Sequence, residues 1–73
     1  MDTQKLILHT RCAPTGTVVE ISERPEGLTP QAWFNFLSDK AGDVYQTLAG
    51  GRGVFRLTRG ELTALRQAAT PAA

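Results

Sequence analysis

The chain has 73 residues and a formal net charge of +1, and its 41% hydrophobic content places it among folded rather than disordered chains. Its length makes one thin-cored domain, because a chain this short buries only about 60% of the surface its unfolded form exposes. A single cysteine excludes an internal disulfide, Cys12 and His9 alone argue against a bound metal, and no apolar run approaches the ~20 residues of a membrane-spanning helix.

The opening Met-Asp-Thr-Gln-Lys leads into only three consecutive apolar residues and does not read as a secretion signal. Together with the lone thiol, this predicts a cytoplasmic protein. Six arginines against two lysines fit a GC-rich, bacterial-type coding sequence. The charges are unevenly placed. Residues 1–15 carry +1, residues 16–49 carry −3 and residues 50–73 carry +3, so basic groups gather at the two ends.

Lys5 to Arg11 alternates as a first strand, with Leu6 and Leu8 on one face and Lys5, Ile7, His9 and Arg11 on the other. Cys12-Ala-Pro-Thr-Gly16 reads as a turn. Thr17 to Ser22 reads as a second strand that closes a hairpin, with Val19 and Ile21 toward the core and Val18 and Glu20 away from it. Glu23 to Leu28 is a loop.

Thr29-Pro30 opens the main helix, Thr as N-cap and Pro at the first helical position. Trp33, Phe36, Leu37, Ala41, Val44 and Leu48 then follow helical spacing to Gly50-Gly51. Gly42 is the weak point, where the segment can divide into Pro30–Ala41 and Asp43–Ala49. Arg52 to Thr58 alternates again, Phe55 and Leu57 against Arg52, Val54 and Arg56. Thr58-Arg-Gly-Glu61 fits a capping box for a last helix to about Ala69. Residues 70–73 read as a frayed tail on a single domain spanning 1–69.

The order β-β-α-β-α predicts an α+β two-layer sandwich, with a three-stranded antiparallel sheet of order 2-1-3 packed on one main helix. The remaining sheet face would carry Lys5, Ile7, His9, Arg11, Val18, Glu20, Arg52, Val54 and Arg56, unless the last helix covers it through Leu62 and Leu65.

Most chemical motifs fail on spacing. The glycines of Gly50-Gly51-Arg52-Gly53 run from helix into strand, the reverse of a phosphate loop. His9 and Cys12 lie three apart on a strand and face opposite ways, so they do not form a base and nucleophile pair. Asp39 and Asp43 share a helix face with nothing to separate their acidities. A helix-turn-helix over Pro30–Gly51 would have a reading helix without Lys or Arg.

The basic sheet face stands out. Arg52, Arg56, Val54, Lys5, Ile7, His9 and Arg11 form the candidate binding surface, with Ile7, Val18 and Val54 as its dry centre. The sequence predicts a non-catalytic accessory or regulatory binding module without cofactor or metal. Its expected partner is another protein or a second copy of itself. The alternative is a nucleic acid held by Arg52, Arg56, Lys5 and Arg11, although +1 overall is low for a dedicated DNA binder.

Overall fold

The computed structural model describes residues 5–70; of the tail expected over 70–73, Thr70 instead donates its amide and its hydroxyl to the Arg66 carbonyl, at 3.1 and 2.7 Å, and 71–73 lie outside the described residues. Strand β1 spans Lys5–Cys12, β2 Val18–Ile21, helix α1 Pro30–Ala41, β3 Tyr45–Leu48, β4 Arg52–Thr58 and α2 Arg59–Ala69, with a 3-10 turn at Gly42–Val44. The strands form one antiparallel sheet in the order β2-β1-β4-β3. The fold is therefore α+β, and the expected 2-1-3 order survives as β2-β1-β4. The sheet has four strands rather than three, and two helices cover it rather than one.

The added strand comes from the segment expected to continue the main helix. Helix α1 ends where Ala41 swings to φ −141° and ψ 34°. Val44 and Leu48 are four apart, which suits one helix face and one strand face equally. What decides is the chemistry around them: Tyr45-Gln-Thr-Leu48 is rich in strand formers. Gly50 and Gly51, at φ +78° and +74°, make a hairpin turn into β4 rather than a helix stop.

β2 corrects a second expectation. Thr10 pairs with Ile21 and Arg11 with Glu20, but Cys12 pairs with Val18, leaving Val19 as the extra residue of a bulge. One added residue reverses the alternation. Val18 is consequently buried in the core, and Val19 is exposed. Cys12, expected in a turn, ends β1 and leans half-buried on the core.

Both helices lie on the same side of the sheet. Leu62 of α2 shares one buried cluster with Trp33, Leu37 and Ala41 of α1 and with Leu8, Val18, Ile21, Phe55 and Leu57 of the sheet. Thr29 caps α1 by accepting from the Ala32 amide at 3.1 Å. Trp33 is fully buried, and its indole N–H donates to the Ser22 carbonyl at 3.1 Å. Phe36, expected in the core, is only partly buried. It stacks on Trp33 beneath Lys40, while Phe34, also partly buried, packs edge-on against Tyr45 and Phe55. Leu48 leaves the core altogether.

β4 runs straight into α2. Thr58 accepts from the Glu61 amide at 3.1 Å, and Glu61 accepts from the Thr58 amide at 2.8 Å, completing the expected capping box. The Thr58 amide donating to the carboxylate, then the Thr58 side chain and the nearby Lys5, hold the Glu61 carboxyl below its ordinary range.

Two predictions follow from this packing. A Cβ on Gly53 would lie 2.1 Å from the Tyr45 hydroxyl and 2.5 Å from its ring, whereas one on Gly60 meets nothing within 4 Å. Gly53→Ala should cost about 1–3 kcal/mol by overpacking, and Gly60→Ala should be neutral or stabilising by up to about 1 kcal/mol; thermal melts of the two variants check this. Glu61 is more acidic folded than unfolded, so its contribution is present at neutral pH and is lost as pH falls below the unfolded value of about 4.3. Glu61→Gln should therefore flatten the acid limb of a stability-against-pH curve while leaving its shape above pH 6 unchanged.

Candidate functional site: the open sheet face

With both helices on one side, the other face of the sheet is left open. The β1–β4 register decides what it shows. Ile7 sits opposite Arg56, His9 opposite Val54 and Arg11 opposite Arg52, with Lys5 opposite Thr58 at the end of the ladder. Alternation carries all seven candidate residues, Lys5, Ile7, His9, Arg11, Arg52, Val54 and Arg56, to this face. Because α2 packs beside α1, it does not cover them.

Their electrostatic situations differ. Arg11 reaches sideways to β2, where its Nε donates to Glu20 Oε1 at 2.7 Å and its Nη2 is also ion-paired with that carboxylate. Lys5 lies 3.9 Å from Glu61. The two β4 arginines have neutral partners instead. Arg56 Nη1 donates to Gln46 Oε1 at 2.5 Å, and Arg52 Nε donates to the Ala49 carbonyl at 3.5 Å. Once the paired charges cancel, positive charge remains on β4.

The apolar part also differs from the expected one. Val18 has turned inward at the bulge. Val54 is only 3% exposed although no helix covers it. It lies between His9 and Gln46 across the ladders and between Arg52 and Arg56 along its own strand. The accessible apolar groups are Ile7 at 49%, Val19 at 41% and Leu48 at 39%, spread over β1, β2 and β3. A shallow trough of about 670 Å³ crosses the face, with Leu48, Arg52, His9, Arg11, Glu20 and Val19 in its lining.

Gln46 and Leu48 are the site residues that sequence reasoning missed, because their segment was read as helix. The available signal was Tyr-Gln-Thr-Leu followed by Gly-Gly, a strand running into a hairpin turn.

The remaining candidates fall apart on geometry. Gly50 and Gly51 form the β3–β4 turn, and Gly51 accepts the Cys12 amide at 2.7 Å. His9 is on the open face and Cys12 is turned toward the core. Asp39 lies in α1, 3.7 Å from Lys40, and Asp43 lies beyond the helix end, so the two no longer share a helix face. A reading helix over 43–49 does not exist. Among the described residues there is no group of three or more His, Cys, Asp or Glu able to hold a metal, and no helix is long and apolar enough to cross a membrane.

No family model, curated protein or solved structure matches the chain. The site is thus read from its own chemistry.

The contrast between Val54 and Ile7 gives a direct check of the face. Val54→Ala would remove buried methyl groups from a position only 3% exposed and should lower the melting temperature measurably. Ile7→Asp, at a half-exposed position on the same surface, should change stability by no more than about 0.5 kcal/mol. Circular dichroism melts separate the two.

Proposed function

We propose that the domain is a non-catalytic binding module that docks another protein on its open sheet face. The supporting observation is the combination found there. Exposed Ile7, Val19 and Leu48 surround a filled centre at Val54, and Arg52 and Arg56 have no acidic partner among the described residues. Apolar patches with arginine among them are the composition of protein interfaces. Among the described residues the face carries no Phe, Tyr or Trp, so it lacks the broad platform on which successive bases stack. Face-to-face pairing of two copies would set these arginines against their own counterparts, and like charges brought together in an interface oppose association. A partner other than a second copy suits the face better.

One observation favours a nucleic acid as the second reading. Arg52 and Arg56 lie about 13 Å apart along β4, without a carboxylate partner among the described residues, and able to contact a phosphate backbone.

A photo-reactive benzoyl-phenylalanine placed at Ile7 or Leu48, and at Ala64 on α2 as a control, tests both readings in cells. Protein adducts should form from the two sheet positions and not from the helix, and should decrease in the Arg52→Ala/Arg56→Ala double variant. Adducts confined to the α2 position overturn the proposal. Nucleic-acid adducts select the second reading. In that case the double variant should make the slope of log K against log salt shallower by roughly 1.8 on duplex DNA.

A further inference from the structure

The sheet has two edges, and they are treated differently. β2 is closed to further pairing. It carries the bulge at Val19 and the charge of Glu20, and its Val18 amide donates to Gln31 Oε1 at 2.7 Å. Gln31 is itself held by Asn35 at 2.9 Å. Bulges, charges and covered amides are the means by which natural sheets prevent a further strand from adding.

β3 carries neither a bulge nor a charge. Tyr-Gln-Thr-Leu contains no charge and no proline, and its ladder to β4 is in unbroken register. Its first amide, at Tyr45, turns back to the Gly42 carbonyl. Among the described residues, no hydrogen bond outside the β3–β4 ladder reaches the backbone of Gln46, Thr47 or Leu48, and all three are exposed.

The arginines of β4 lean toward this edge. Arg56 crosses to Gln46 on β3 and Arg52 turns to Ala49 at the β3–β4 turn, whereas Arg11 leans the opposite way, to Glu20. A strand laid against β3 would place alternate side chains beside Gln46 and Leu48 on the open face. Carboxylates there would meet the two guanidinium groups that lack an acid, with the planar fork geometry arginine uses for carboxylates. The intervening side chains would fall on the helix side, beside Tyr45 and Thr47.

We propose that the β3 edge, with Arg52 and Arg56 reaching over it, takes an extended acidic segment of another protein as a fifth strand. This rests on the protein-docking reading and specifies the partner's chemistry: an extended stretch that alternates acidic with apolar or β-branched residues. Strand addition uses main-chain bonds for affinity and alternate side chains for specificity. A second copy does not supply the acids. Its β3 offers only Gln46 and Leu48 on that face, and its Glu20 lies on the closed edge in a pair with Arg11.

The test is an NMR titration of the isotope-labelled domain with a short capped peptide alternating Glu and Val, and with the same peptide carrying Lys for Glu. The Glu peptide should shift the amides of Gln46–Leu48 and slow their hydrogen exchange, and the Lys peptide should not. Arg52→Ala/Arg56→Ala should weaken binding about two- to thirtyfold, as expected for two exposed ion pairs. Gln46→Glu, at an exposed position beside Arg56, should weaken it as well while the variant remains folded. Shifts confined to Ile7, His9 and Arg11 would overturn strand addition and leave docking on the sheet face standing. Absence of any shift with the Glu peptide at millimolar concentration, or an equal response to the Lys peptide, overturns the inference. So does exchange protection of β3 that appears with protein concentration alone, which would make a second copy the occupant. Shifts of Arg52 and Arg56 with duplex DNA but not with peptide would overturn both the inference and the protein-docking reading.

Discussion

The pairing of β1 with β4 is the constraint on which the rest of this molecule depends. Seven residue pairs run without interruption from Lys5 opposite Thr58 to Arg11 opposite Arg52. The two strands are almost at opposite ends of the chain, yet they form the centre of the sheet. Their register sets the parity of the fold. Leu6, Leu8 and Thr10 with Gly53, Phe55 and Leu57 face the helices, and every charged residue of both strands faces away. A slip of one residue would send the arginines into the core and Phe55 into water. Burial of Leu8, Phe55 and Leu57 at 2% exposure or less is therefore what holds the basic face in place.

Within that frame the helix layer needs room at one point and filling at another. Gly53 gives the room, since its missing side chain is where the Tyr45 ring lies. Tyr45, Phe34 and Phe55 then meet in edge-on and tilted contacts that close this end of the core. Thr10, beside Gly53 in the ladder, is buried, and its hydroxyl has no partner among the described residues, so packing has taken precedence over hydrogen bonding there.

Much of this was legible in the sequence. Alternation in 5–11 and 52–58, the Thr29-Pro30 start and the Thr58–Glu61 box each combine a period with a chemical stop or start signal, and each was placed correctly. The failures share a cause. Over Val44–Leu48 the apolar spacing satisfies two periods at once, and only the meaning of Gly-Gly, hairpin turn or helix stop, separates them. At Val18–Val19 strict alternation predicts Val19 inward, but a bulge puts Val18 there instead, which depends on pairing with Cys12 and not on β2 itself. The seven residues expected on one sheet face do share the open face, because they lie on β1 and β4, whose patterns are long. Gln46 and Leu48 were missed because their strand is short. That Val54 is sealed by its neighbours follows from the lengths of the surrounding side chains, which a binary pattern does not register.

Thr58 belongs to two elements. It is the last residue of β4 and the N-cap of α2, with both of its capping bonds made to Glu61. No residue separates strand from helix, so there is no slack between them. A change in the twist of β4 therefore has no loop in which to be taken up before α2 begins. The strand that carries Arg52 and Arg56 on the open side is joined directly, as a lever is to its arm, to a helix on the covered side.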